Sequence, residues 1–591
     1  MKKLPYAIAN FLTIRKENYL YIDRTSYIRK LENMSGNSFL FVRPRRFGKS
    51  LWLNVLKRYY DLALADSFDT LFGDLDIGKN PTPLRNRYFV MTWNFSRIDP
   101  RGTVDEIAEQ MNRTFNNTIE NFLMYYSEYL SDSVKITPMA ADTLENVLST
   151  IAKTSGKLYL LIDEYDNFAN EVMATDEATY KGLVRKEGPL KTLYKALKDL
   201  MENNVLDRIF VTGVSPVVMS DITSGANIFK NLYLRREYST LCGFTQEEVT
   251  DILTGVAEHC GLPESSVKEA GEMMNLWYNG SRFSADSDIK VYNPTLVFYF
   301  LDYYMETCQY PRQMLDSNLA ADEGKLEYMG RAVSGRQAVK DIFQKNEPFA
   351  VSALADRFTL SAMLDRAGQD NTFLVSYLYY FGMLTISGRD SRGRICLSPP
   401  NLVTEKLYSD QILCFLLPLG TERNKAAETV DRFVACGELQ PLLEFTEKKI
   451  FPVFSNRDYR WMNEFAVKMA FTAMLFNDIT YALFSEPELS RGYADLCLII
   501  RPDARKYDLF DMLFEFKYVS LKKLKLSGKK VRGMTQTELL KKQGVKEAFE
   551  DAESQVRNYA DILEKKFGKG LRLKTYTVVS VGFDRLLGRE I

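Results

Sequence analysis

The sequence predicts an α/β fold: a parallel sheet in the N-terminal part, a helical middle, and a second α/β unit at the C-terminal end. Three observations carry this. Short β-branched or aromatic runs, NSFLFV (37–42), YFVMTWNF (88–95), KLYLLID (157–163) and RIFVTGV (208–214), alternate with helix-patterned stretches up to about residue 240. Continuous apolar runs of this kind mark parallel strands buried on both faces. A stretch with mostly helical periodicity follows to about 445, and beyond it one helix, several strands and another helix predict a second sheet.

The composition fits such a chain. With 591 residues, 46% apolar and 26% charged, it has room for three or four domains at ~150 residues each and is too apolar for wholesale disorder. The 77 basic and 77 acidic side chains cancel, so a uniformly basic nucleic-acid-coating protein is excluded. Any nucleic-acid contact must be a local patch. The single histidine, His259 in AEHCG, excludes a multi-histidine metal site and reads as structural. The seven cysteines, Cys242, Cys260, Cys308, Cys396, Cys414, Cys436 and Cys497, form no CxxC pair. That odd, dispersed set reads as reduced thiols in a cytoplasmic protein. The opening MKKLPYAIANFLTIRKEN lacks a small-residue cleavage site and does not read as a signal peptide. No run approaches the ~18 apolar residues of a membrane span.

Four blocks are expected: 1–240, a sheet with helices; 241–300, a small helical lid; 301–445, a mostly helical connection; and 446–591, a second α/β domain. In the lid, Thr245 stands three residues before Glu248 and predicts a capping box. In the connection, SGRDSRGR (387–394) resembles a hairpin turn.

The first block carries a chemical site. In NSFLFVRPRRFGKS (37–50) a strand enters a loop ending in Gly48-Lys49-Ser50, and the helical LWLNVLKRYYD follows. Backbone N–H groups at a helix start face phosphate oxygens, Lys49 reaches them with its charge, and the Ser50 hydroxyl is a ligand for Mg2+. This predicts a P-loop NTPase-type sheet that binds a nucleotide. Arg43 stands where the usual loop has its first glycine, and Arg45 and Arg46 make the loop basic. Arg46, Gly48, Lys49 and Ser50 are expected nucleotide contacts. LYLLIDEYD (158–166) ends a buried strand in Asp163, placed to hold Mg2+, and Glu164, placed to polarise the attacking water. RIFVTGVSP (208–216) brings Thr212 and Ser215 to where a γ-phosphate sensor would lie. Arg235 and Arg236 are candidates for an arginine supplied from outside the pocket, or for a plain surface pair.

The last block carries a second site. Asp495 opens the strand in SRGYADLCLIIRP (490–502), and DMLFEFKYVS (511–520) carries Glu515 and Lys517 on one face of the next strand. A short connection would bring Asp495 beside Glu515. The two carboxylates could then grip a hard divalent cation, with Lys517 near a scissile phosphate. Charges between the phenylalanines of FEFK are costly unless they have partners; the alternative is a set of edge-strand surface ion pairs. Glu464, on the amphipathic-looking NEFAVKMAFTAML (463–475), is a further candidate metal ligand. Gln555 and Tyr559 lie one turn apart on AESQVRNYADIL (552–563). Residues 517–546 hold ten basic side chains and one acidic, Glu538. Directly after a candidate metal site, that run reads as a phosphate-backbone contact as readily as a solvated loop.

YIDRTSYIRKLE (21–32), RPRRFGKSLWLNVLKRYYD, LIDEYDN and FVTGVSP together resemble a bacterial AAA-ATPase-like family, and WYNGSRF (277–283) and VYNPTLVFYFL (291–301) resemble its lid region. Members of that family commonly carry a C-terminal domain similar to PD-(D/E)XK nucleases, an arrangement that 446–591 matches. The resemblance implies a restriction-endonuclease-like fold there. It also implies Lys49 and Ser50 at the nucleotide phosphates, Asp163 and Glu164 at Mg2+ and water, and Asp495, Glu515 and Lys517 as the nuclease triad. The expectation is therefore an ATPase coupled to a metal-dependent DNA nuclease, with mobile-element or phage defence as a plausible setting. The alternative is a nucleotide-driven switch whose C-terminal domain only binds nucleic acid or a protein partner. Homo-oligomerisation is left open.

Overall fold

The computed structural model describes residues 2–184, 188–216, 218–219, 228–316, 349–355, 371–454, 464–485, 488–489, 492–493 and 495–591. These residues form two compact units. Residues up to Cys308 and from 349 to 400 make the first, and residues 309–316 and from 401 to the end make the second. The units cut across the blocks read from the sequence, since 301–445 is shared between them.

The first unit is built on five parallel strands, β1 (Ser38–Val42), β2 (Tyr88–Asn94), β3 (Lys157–Asp163), β4 (Leu206–Gly213) and the short β5 (Lys230–Asn231), in the order β2-β3-β4-β1-β5. Every residue of β1 is buried, as is β3 after Lys157. The unbroken apolar runs are what such strands need, because each face meets a packed layer. Helix α1 (Lys49–Tyr60) leaves the loop after β1, and α2 (Val104–Tyr125) and α3 (Ala140–Ile151) join β2 to β3. Trp93 of β2 stacks on Phe115 of α2 with ring centroids 4.5 Å apart. Burying two such rings contributes roughly 2–3 kcal/mol each.

Three helices follow, α4 (Gln246–His259), α5 (Glu264–Tyr278) and α6 (Pro294–Thr307). The capping box at Thr245 is present: its hydroxyl accepts from Glu248 N–H and the Glu248 carboxylate accepts from Thr245 N–H. His259 ends α4, exposed to solvent. The cysteine expectation needs correcting. Cys260, just after α4, and Cys308, just after α6, are joined as a disulfide with Cα atoms 5.6 Å apart; Cys242, Cys396, Cys414, Cys436 and Cys497 are free. Among the described residues the middle region is mostly helical, as its periodicity predicts, and the break read at 387–394 is a hairpin. A small antiparallel sheet, β6 (Phe349–Val351), β7 (Thr385–Arg389) and β8 (Ile395–Ser398), lies in it, and the β7–β8 hairpin turns within DSRGR (390–394).

The second unit centres on β9 (Tyr481–Ser485), the short hairpin β10 (Glu488–Leu489) and β11 (Gly492–Tyr493), β12 (Leu496–Ile500), β13 (Asp511–Val519), β14 (Leu573–Val581) and β15 (Arg585–Glu590). The main sheet runs β15-β14-β13-β12-β9, with β13 parallel to β14 and the other pairs antiparallel. Alternation along β13 sorts its side chains. Phe514 and Phe516 meet Phe471 of α7 (Glu464–Leu475) on one face. Leu513 packs with Cys497, Val556 and Tyr559 beneath α8 (Gln543–Phe567) on the other. Helix α7 is buried at every position from Ala466 to Leu475. It is a core helix and not the amphipathic one its sequence suggests, because the sheet covers one side and neighbouring helices the other.

Candidate nucleotide and metal sites

The loop between β1 and α1 has the geometry its sequence predicts. Gly48 adopts a left-handed conformation (φ 94°), as does Arg46 (φ 67°), and the helix begins at Lys49. A glycine takes that turn without the penalty a Cβ brings. Lys49 is buried, and its ammonium donates to the carbonyls of Arg43 and Pro44, both at 2.9 Å. Burial lowers its pKa, against the pull of Asp163 and Asp166. An ammonium has three donors, and loop carbonyls are weak partners that phosphate oxygens can replace.

Arg43 explains how the loop does without its first glycine. Its side chain turns away from the loop and is 2% exposed. The guanidinium donates to the carbonyls of Val42, Tyr233 and Tyr238 at 2.8–2.9 Å and lies over the rings of Phe41 and Phe283. Burial brings its pKa down to about 10.

Asp163, at the end of β3, accepts from the Thr212 hydroxyl (2.6 Å) and from Glu164 N–H (3.0 Å). Glu164 holds a left-handed backbone (φ 50°). Burial, then Asp163, raises its pKa, in the direction that suits a general base. Thr212 is fully buried and orients the Asp163 carboxylate; neither residue is among those lining the cleft, where Glu164 is. Ser215 is likewise tied to Asp166, whose carboxylate also accepts from Val214 N–H and Ser215 N–H. Arg235 and Arg236 are not among the cleft-lining residues either.

The loop opens on a cleft of about 570 Å³, within the 300–1,000 Å³ range usual for small-molecule sites. Arg46, Gly48, Lys49, Ser50 and Glu164 line its polar end, and Ile8, Tyr21, Ile22, Leu241 and Phe298 are among the residues lining the rest. Helix α6 borders it: Asn293 and Thr295 donate to the carbonyls of Arg45 and Arg46.

In the second unit, Asp495 stands one residue before Leu496, which registers with Phe514, and its Oδ2 accepts from Phe516 N–H at 2.8 Å. This brings it beside Glu515, which is 3% exposed. Burial, then the Asp495 charge, pushes the Glu515 carboxyl up to about 8, with Lys517 pulling the other way. Glu515 Oε1 accepts from Lys517 Nζ at 3.0 Å, while its buried Oε2 has no hydrogen-bond partner. Lys517 also reaches Gln555 Oε1 (3.1 Å) and Asp551 (3.4 Å) from α8. Tyr559, one turn on, lies in the core. Glu464 feels Lys517 and Asp495, and its pKa is raised, chiefly by burial. Among the described residues no group of three acidic, histidine or cysteine side chains is close enough to form a ready-made metal cage. Glu464 is thus near the pair without completing a three-acid cluster. Two carboxylates, one with an orphaned oxygen, do fit a hard cation that keeps much of its water.

Two family models match the parts of the chain that carry these residues. Residues 5–223 match the family model described as predicted AAA-ATPase, and residues 462–568 match that of the PD-(D/E)XK nuclease superfamily. The chain joins an AAA-ATPase-like domain to a PD-(D/E)XK nuclease-like domain. A curated relative, the "uncharacterized protein in vnfD 5'region" of Azotobacter chroococcum mcd 1, is 26% identical over 320 residues, 52% of this chain and 54% of the relative. The chain therefore spans about half the length of that relative. Two solved structures overlap more widely but slightly. The Aeropyrum pernix ORC1 protein in complex with DNA (13% identity, TM-score 0.26) is matched over 71% of this chain and 96% of that one. The Aeropyrum pernix ORC2 protein in ADPNP-ADP complexes (12% identity, TM-score 0.31) is matched over 68% and 98%. At such scores the likeness is too small to carry fold or function.

Several site residues escape a reading of the sequence. In the AAA-ATPase-like domain these are Asp166, which pins 214–215, and the apolar side of the cleft. In the nuclease-like domain they are Asp551 and the buried Lys468. Asp166 ends the LIDEYD run and Lys468 is the one charged residue between 465 and 475, so both left a trace. The cleft's apolar side is assembled from segments far apart in sequence and left none.

Proposed function

We propose that the AAA-ATPase-like domain binds and hydrolyses ATP, and that the nuclease-like domain cleaves DNA phosphodiester bonds with a divalent cation. Glu515 carries the reading. A carboxylate buried to this degree with one oxygen unpaired is expensive, and the cost is offset if that oxygen has a cation to hold. Asp495 and Glu515 would hold Mg2+, with Glu464 close by. A cation bound there supplies Lewis-acid stabilisation and an activated water. Lys517, held between Glu515, Gln555 and Asp551, is positioned to neutralise charge on the scissile phosphate. In the other domain, Arg46, Gly48, Lys49 and Ser50 would take the triphosphate, Asp163 and Ser50 its Mg2+, and Glu164 the attacking water.

The basic segment supports DNA as substrate. Lys523, Arg532 and Lys546 are paired with Glu547, Asp584 and Glu550, whereas Lys522, Lys525, Lys529, Lys530, Lys541 and Lys542 have no ion pair among the described residues and are available to phosphates. Among the described residues no helix is long and apolar enough to cross a membrane; a cytoplasmic bacterial setting such as mobile-element or phage defence is part of this proposal.

The deciding experiment is Glu515→Gln. Cleavage of DNA in Mg2+ or Mn2+ should be lost while DNA affinity stays within about twofold, as expected of a group that acts on the transition state. Unchanged cleavage in this variant would refute the site. A second reading, a nucleotide-driven switch that holds nucleic acid or a protein partner without cutting, is favoured by the three acceptors already engaging Lys517. Wild type that binds DNA yet never cuts it would select that reading.

A further inference from the structure

Lys468 is used by neither reaction above, yet it is one of the most buried charges in the second unit. Its side chain is 6% exposed and sits on α7, one helical turn after Glu464. Its immediate neighbours on the helix, Val467, Met469, Ala470 and Phe471, are buried apolar groups. A lysine in such surroundings is costly unless its charge is matched, and an apolar residue of similar size would pack there at less cost. The structure gives it an ion pair: Nζ lies 4.0 Å from Asp495 Oδ1. The other oxygen, Oδ2, is held by Phe516 N–H at 2.8 Å. Lys468 and the β13 backbone therefore address different oxygens of the same carboxylate.

Burial rules out direct contact between Lys468 and a nucleic-acid phosphate. Its effect on the site is carried by its charge, through the ion pair with Asp495 and the field it exerts on Glu464. A fixed positive charge beside a carboxylate that must ligate a cation lowers the negative potential drawing that cation in.

We propose that Lys468 is a positioning residue of the nuclease-like site, a built-in counter-charge acting through Asp495 that limits how tightly the site takes a divalent cation. This rests on the reading that Asp495 and Glu515 hold that cation. Lys468 acts on Asp495 and Glu464, and Lys517 on Glu515, Glu464 and Asp551, so before a metal arrives the two lysines offset part of the carboxylate charge. The consequence is a site that exchanges its cation readily.

The test is calorimetric titration of the full-length protein with Mn2+, without nucleotide or nucleic acid, at one pH. Glu515→Gln identifies the part of the binding that belongs to this site. Lys468→Met and Lys468→Gln should both bind Mn2+ roughly tenfold more tightly than wild type, and Lys468→Arg, which keeps the charge, should stay within about twofold. A merely structural lysine gives the opposite sign, because a damaged site binds more weakly. Unchanged or weaker Mn2+ binding in the neutral variants overturns the proposal. So does failure of both neutral variants to fold, which would make Lys468 a structural ion-pair partner. If wild type shows no Glu515-dependent Mn2+ binding, the underlying reading of the site falls instead.

Discussion

Arg43 and Glu515 are each charged residues in places where the local pattern asks for something else. Arg43 occupies a glycine position, and what the sequence cannot show is that its side chain points backward into three carbonyls, two of them supplied by segments about 190 residues away. Glu515 interrupts an apolar strand. Here the anomaly itself was the signal, since a buried carboxylate between phenylalanines demands a reason. Its raised pKa has a direct consequence. For a carboxyl whose folded pKa lies above its unfolded value, folding favours the protonated form, so the contribution to stability is present at low pH. It is lost as pH rises from about 4.5 towards the folded value of about 8. In chelator, therefore, stability should fall between pH 5 and 8 by up to roughly 3–4 kcal/mol from this group. Glu515→Gln should remove that part of the fall, as read by denaturant unfolding at the two pH values; an identical slope in both proteins would count against the assignment.

Among the elements, those with a strong local signature were legible. The strand–loop–helix around Gly48, the run ending in Asp163 and the alternation of β13 follow from apolar patterning and turn chemistry over fewer than fifteen residues. The cap of α4 was legible for the same reason. It is reinforced by a partner the sequence does not reveal, Arg24, which donates to both oxygens of Glu248 at 2.6 and 2.7 Å. Thr245→Ala should destabilise the first unit by about 1 kcal/mol, measured by chemical denaturation, with a loss under a few tenths showing that Arg24 alone holds the helix start. Elements without a local signature were missed. β6 has three residues and gains its identity from pairing with β8, over forty residues on. The burial of α7 depends on what packs around it, and the Cys260–Cys308 bridge joins residues 48 apart. None of these can be inferred from neighbours in the chain.

For the whole molecule, a net charge of zero conceals local design. The basic stretch after β13 keeps six lysines without ion pairs among the described residues, while its other cations brace the fold. If those lysines meet a phosphate backbone, replacing Lys529, Lys530, Lys541 and Lys542 by alanine should weaken DNA binding. It should also flatten the dependence of log affinity on log salt by about 0.7–0.9 for each phosphate no longer neutralised. An unchanged salt slope would move the DNA path elsewhere. The sequence points to two candidate sites in one chain but not to whether one controls the other, because that depends on a linkage between states and not on any motif.

The most direct test of the central claim is cleavage of linear and circular DNA in Mg2+ or Mn2+, with and without ATP, by wild type and Lys517→Ala. The predicted result is cleavage by wild type that falls at least about a hundredfold in the variant, in line with removal of one charge that stabilises the transition state. A dependence on ATP would show that the two domains act together. Cleavage that survives Lys517→Ala, or its absence in wild type under every condition, would contradict the account of the C-terminal domain as a nuclease.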